Sequence, residues 1–137
     1  GGSRYLTVVS IEQRYAGHAR QVGMAVMSTP EGAYHGRFVI VVDDDIDPSN
    51  EDDVFWAMST RCDPALDIEI IRDCWSTPLD PIMSPEKKEK GDFTNSRAII
   101  NACRPYHWRK EFPLVNRASD ALRNKTLSKW KNLFPQG

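Results

Sequence analysis

Apolar residues along this chain change their period several times, and each change marks an element. The segment from Tyr5 to Ile11, YLTVVSI, is dense in β-branched and aromatic side chains and predicts a strand. From Tyr15 to Thr29 the pattern turns helical, with Ala19, Val22, Gly23, Val26 and Met27 on one stripe, and Pro30 and Gly32 predict its end. RFVIVVD, residues 37–43, is an almost unbroken apolar run, the pattern of a strand covered on both faces. A second helix is predicted from Ser49 to about Arg61, with Val54, Ala57 and Met58 on its inward stripe and Trp56 on another face. DIEIIRD then predicts a third strand carried by Ile68, Ile70 and Ile71. The fold class implied is α/β, of the βαβαβ type, with a mostly parallel sheet, right-handed crossovers and flanking helices.

Beyond Asp73 the alternation stops. CWSTPLDPIMSPEKKEKGDF mixes prolines with the charged run Glu86 to Lys90 and predicts a long, ordered, proline-rich loop with an exposed tip. SRAIINAC predicts a short fourth strand. NRASDALRNKTLSKWKNLF predicts a C-terminal amphipathic helix capped near Ser119 or Asp120, with Leu122, Leu127 and Trp130 as its apolar residues. Such a helix needs cover, from the chain's own sheet or from a neighbouring subunit.

The most conspicuous chemistry is VVDDDIDPSN, where the apolar run ends in Asp43, Asp44, Asp45 and, after Ile46, Asp47. An EF-hand loop counted from Asp43 fails, because its sixth position is Pro48 and its twelfth is Val54. A pair of strand-end acids holding a cation beside a sugar nucleotide is another reading, but no glycine-rich phosphate loop accompanies it. The structural reading makes Asp47 an N-cap with Pro48 at the first helical position, and Glu51, Asp52 and Asp53 favourable near the helix start. That leaves Asp43, Asp44 and Asp45 without a role.

Length and composition narrow the classes. The 137 residues suit one domain with a sizeable core, and 40% hydrophobic with 27% charged residues is ordinary for a globular protein. A net charge of −1 offers no footprint for nucleic acid, and no apolar run is long enough to span a membrane. Cys62, Cys74 and Cys103 are odd in number and lack Cys-x-x-Cys spacing, which predicts a reducing, cytoplasmic setting. His18, His35 and His107 form no close-spaced ligand pair. Gly1, Gly2 and Ser3 resemble a cloning remnant, leaving residues 4–137 as the domain.

Four blocks together resemble the C-terminal domain of the UbiD-type decarboxylases: VSIEQRYAGHARQVGMAVMS, FVIVVDDDIDPSNEDDVFWAMSTRCDPALDIEII, STPLDPI and SRAIINACRPYHWRKEFP. The resemblance runs from about Tyr5 to Trp130. It implies a reversible (de)carboxylase of aromatic, heteroaromatic or conjugated carboxylic acids that uses prenylated FMN, with a divalent metal, usually manganese, and potassium. It also implies that the aspartate run is a strand-to-helix turn and not the metal site. In the family the N-terminal region binds the flavin and the metals and supplies the catalytic arginine and glutamates. No residue here matches those motifs, so no catalytic, cofactor-binding or metal residue is expected on this chain. As an isolated chain it is expected to fold without flavin and to be inactive.

The resemblance assigns this domain a lid over the flavin and a share of the subunit interface, in a homo-oligomer of at least two copies. By match to the family's pocket loop, Thr77 and Leu79 face the substrate, and His35 in AYHGRF approaches it. His18 lies in a family-like motif at a helix start. An imidazole beside a carboxylate substrate can donate a hydrogen bond or act as an acid. The alternatives are a free-standing assembly or binding module without catalysis, and a metal-dependent enzyme built on Asp43 to Asp45.

Overall fold

The computed structural model describes residues 5–115 and 118–131. The elements are β1 (Leu6–Ile11), α1 (His18–Met27), α2 (Pro30–His35), β2 (Phe38–Asp43), α3 (Glu51–Arg61), α4 (Pro64–Asp67), β3 (Ile68–Trp75), α5 (Pro85–Glu89), β4 (Thr94–Ala102) and α6 (Asp120–Lys129). They build a mixed sheet of order β1-β2-β4-β3 flanked by helices. β1 pairs with β2 and β2 with β4 in parallel, whereas β3 pairs with β4 antiparallel. The α/β class and the mostly parallel sheet are as the sequence predicts.

The direction of β3 departs from a simple parallel βαβαβ unit. Arg61, the last residue of α3, donates to Asp43, the last residue of β2. The chain therefore leaves α3 still at the end of the sheet where β2 finished. With only the four residues of α4 before β3, the next strand has to start there and run back. It forms an edge, and β4, at nine residues longer than predicted, fills the place beside β2.

Strand alternation divides the core in two. Ile40 and Val42 of β2 face α3, meeting Ile46, Val54, Ala57, Ile100 and Ala102. Val39 and Val41 face α1, meeting Ala19 and Cys103. β2 is thus covered on both sides, as its unbroken apolar run requires. α1 lies close to the sheet because position 23 is glycine: a Cβ there would sit 2.5 Å from Cγ2 of the buried Ile99.

Other local expectations are corrected. Pro30 does not merely end α1; it opens α2, where Thr29 Oγ1 accepts from the Gly32 amide. Asn50, not Asp47, caps α3, accepting from the Asp52 amide at 3.1 Å. Asp47 instead closes the preceding turn by accepting from the Ser49 amide and hydroxyl, since the helix starts three residues after Pro48, at Glu51. Trp56 is not turned away from the core: it packs partly buried against the α3-side cluster, with the Arg61 guanidinium 5.1 Å from its ring centroid. The charged run in the proline-rich stretch forms α5, capped by Ser84. Ser119 caps α6, on which Leu122, Leu127 and Trp130 stay about half exposed. Among the described residues no helix is long and apolar enough to cross a membrane.

Gly23→Ala is expected to push α1 off Ile99 and destabilise the fold by about 1–3 kcal/mol, read as a lower denaturation midpoint. A mutant as stable as the parent would show that the helix can back away without loss.

Candidate functional site

Two buried carboxylates organise opposite ends of the sheet. At the C-terminal end of β2, Asp43 accepts from Gln13 Nε2 at 2.7 Å, Arg61 Nη1 at 3.0 Å, the Arg104 amide at 2.7 Å and Arg104 Nε at 3.1 Å. Asp45 takes the same Arg61 guanidinium as a fork, at 2.8 and 2.7 Å. The Arg61 hydrogen bond holds the Asp45 carboxyl below its ordinary pKa. These aspartates are therefore anchors for arginines, a role that neither capping nor metal binding had suggested. Among the described residues no group of three acids, histidines or cysteines gathers as metal ligands. With the oxygens of Asp43 and Asp45 already taken by cationic and amide donors, the donor set does not fit a manganese or potassium centre.

At the other end, the segment Ser76 to Asp80 follows β3. Asp80 is fully buried and accepts from Arg37 Nη2, the Ser76 hydroxyl at 3.1 Å, Asn95 Nδ2 at 2.7 Å and the Ile82 amide at 3.1 Å. Burial works to raise its pKa, but the donors, Arg37 first, outweigh it and hold the carboxyl at about 2. Ser76 and Thr77 are buried too, and Thr77 Oγ1 accepts from the Leu79 amide at 3.3 Å. Between these anchors Leu79 is 85% exposed. The loop is pinned from beneath and displays the Leu79 side chain to the outside.

His35 lies at the same end of the sheet, at the C-terminus of α2. Its ring meets Tyr5 edge-on at 5.9 Å, and the Tyr5 ring carries the Arg37 guanidinium at 4.7 Å. Arg37 is the ion-pair partner of Asp80. His35 is thus linked to the loop by one aromatic ring and one cation, but it lines a different hollow, with Thr7, Val26 and Glu31. A larger cleft of about 450 Å³ lies nearby. Its floor is the row Phe38, Ala98 and Ile70 across three strands, and Ile82, Met83 and Lys87 form part of its wall. Thr77 and Leu79 do not line it. His18 is at the opposite end of the sheet, where its Nδ1 accepts from the Arg14 amide at 3.3 Å. The sequence reading missed Asp80, Arg37, Asn95 and Arg97. The available signal was an acid between two prolines, in LDP, inside an otherwise turn-like stretch.

Asp80→Asn is expected to cost about 3 kcal/mol near neutral pH, because the largely buried Arg37 loses the counter-charge of the fully buried carboxylate. The folded pKa lies below the unfolded value of about 3.9. The contribution of the carboxylate is therefore complete above that value and is lost as pH falls through about 2. Denaturation midpoints should show parent and mutant converging as the pH is lowered across that window. A constant gap would rule out the ionised carboxylate as the anchor.

A family model described as the C-terminal domain of 3-octaprenyl-4-hydroxybenzoate carboxy-lyase matches residues 1–102. The phenolic acid decarboxylase of Sedimentibacter hydroxybenzoicus is 42% identical over 98 residues, which is 72% of this chain and 19% of that protein. That of Bacillus subtilis (strain 168) is 45% identical over 80 residues, 58% of this chain and 17% of that protein. The closed form of the S. hydroxybenzoicus vanillic acid decarboxylase matches with a TM-score of 0.71 at 31% identity, covering 94% of this chain and 26% of that one. The UbiD-class enzyme HmfF from Pelotomaculum thermopropionicum, solved with FMN, gives a TM-score of 0.74 at 27% identity, with 93% and 26% covered. This chain spans about a fifth of the length of the curated relatives it matches. The sheet, its helices and the sequence blocks agree: the chain belongs to the UbiD family of carboxy-lyases, as their C-terminal domain.

Proposed function

We propose that this chain is the lid and oligomerisation domain of a UbiD-type decarboxylase acting on aromatic, heteroaromatic or conjugated carboxylic acids. Prenylated FMN, the divalent metal and potassium belong, on this reading, to a part of the full-length protein outside this chain. The observation that carries the proposal is the loop geometry: Leu79 is held outward by a buried, four-donor anchor at Asp80. An exposed leucine on an immobilised turn is what a site wall needs, since apolar contact with a ring is useful only when its position is fixed. Thr77 sets the turn that projects Leu79, and His35 approaches the substrate carboxylate from α2.

The lid role is supported by the S. hydroxybenzoicus enzyme, which has been solved in closed and open forms. Lid closure would exclude water from the enclosed acid. The oligomerisation role is supported by α6, whose half-exposed Leu122, Leu127 and Trp130 suit a neighbouring subunit.

The intact mass of the natural gene product tests the domain assignment. A mass several times 15.6 kDa is expected, and a mass equal to it would favour the free-standing module. With that product carrying its flavin, decarboxylation of vanillate and 3,4-dihydroxybenzoate tests the site. Leu79→Ala is expected to change the ratio of kcat/KM for the two acids by roughly tenfold with the melting temperature preserved. An unchanged ratio removes Leu79 from the pocket, and unchanged activity in His35→Ala removes His35.

A further inference from the structure

The proposed wall is built from two segments far apart in the chain, α2 and the loop that carries Leu79. They line no common cavity. Besides the link through Tyr5 and Arg37 and the edge-on contact of Tyr34 with Trp75 at 4.7 Å, they share one buried guanidinium. Arg97, near the start of β4, is 3% exposed. Its Nη1 donates to the Gly32 carbonyl at 2.6 Å. Its Nη2 donates to the Ala33 carbonyl at 2.5 Å and to the Trp75 carbonyl at 2.6 Å. Its Nε donates to Asn95 Oδ1 at 3.0 Å, and Asn95 Nδ2 in turn donates to Asp80. We infer that Arg97 is a positioning residue for the decarboxylation site, fixing the His35 helix and the Leu79 loop as a single wall. This rests on the pocket reading above.

Chemistry argues against a role in packing alone. An apolar side chain of similar volume would fill the same space without burying a charge. Burying this cation is worthwhile only if its donors are used, and every nitrogen of the fork is used. Its acceptors are three main-chain carbonyls and one side-chain amide, so it holds backbone in place. Gly32 and Ala33 belong to a helix of six residues, too short to stand by itself, and the Gly32 carbonyl takes the Arg97 fork in addition to the Gly36 amide that closes the helix. Trp75 is the last residue of β3, directly before Ser76. One planar group therefore fixes α2 and the root of the loop at once, and through Asn95 it reaches the loop's anchor. A lysine offers a single point of charge in place of the planar fork and holds the two segments only in part.

The test uses the natural gene product with Arg97→Ala and Arg97→Lys. Hydrogen exchange is followed at 30–36, 76–83 and β2, and steady-state kinetics are measured with vanillate. Arg97→Ala is expected to lose protection in both outer segments together while β2 keeps its own. KM should rise on the order of tenfold with a smaller fall in kcat, and Arg97→Lys should recover part of both effects. Loosening of one segment only, or of neither, overturns the inference. So does loosening of both with KM and kcat unchanged, which would make Arg97 purely structural. If the parent turns over no aromatic acid, the pocket reading fails by itself. Joint loosening would then still support Arg97 as the coupler of the two segments, and its absence would end that claim as well. Should Arg97→Ala not fold, Arg97→Lys carries the same comparison.

Discussion

Asp43 ends the most buried strand of the sheet with a carboxylate that water does not reach. A charge in that position is tolerable only if donors come to it, and they come from three places in the chain: Gln13 after β1, Arg61 at the end of α3, and Arg104 after β4. Removing the buried Arg61 would break a buried ion pair, which typically costs about 3–5 kcal/mol, a large share of the stability of a domain this size. The pairing also sets topology. By holding the end of α3 at the end of β2, it fixes the direction of β3. Because β3 runs back, its last residue delivers the Leu79 loop to the opposite end of the sheet.

At that opposite end a second buried acid does comparable work for the proposed site. Asp80 gathers donors from before β2, from β4 and from its own loop. Asp43 binds the scaffold together. Asp80 holds the part that projects from it. The proposed site therefore lies at the N-terminal ends of the parallel strands. This is unlike the open parallel sheets in which ligands lie beyond the carboxyl ends. Here the carboxyl ends are occupied by the arginine network, while the amino ends are flanked by exposed Phe38, Ile70 and Ile82.

How much of this was legible depended on the range of the interaction. β2 was read from its apolar run because double burial leaves a local trace. The helix stripes of Val54 with Ala57 and of Ala19 with Gly23 were read for the same reason. The direction of β3 was not legible, since alternation carries no sign for parallel or antiparallel pairing. The roles of Asp43 and Asp45 were missed because their arginines lie 16 to 61 residues away. Asn50 displaced Asp47 as the cap because both are good caps and only the backbone path decides between them. Leu79 and His35 came from family resemblance, and nothing in their own neighbourhood marks them. Arg97 looked like any charge at the start of a strand until its carbonyl partners were in view.

The order of the strands has a consequence for biosynthesis. β4 is the last strand to be made, yet it lies between β2 and β3. A nascent chain that has not reached Thr94 can pair β1 with β2, but β3 has no neighbour and the inner edge of β2 is bare. The sheet is completed only once Ala102 has emerged, so the domain forms late and nearly all at once. A ribosome that stalls within the proline-rich stretch would leave the inner edge of β2 and the whole of β3 unpaired and an apolar surface uncovered, the features that chaperones bind and that seed aggregation.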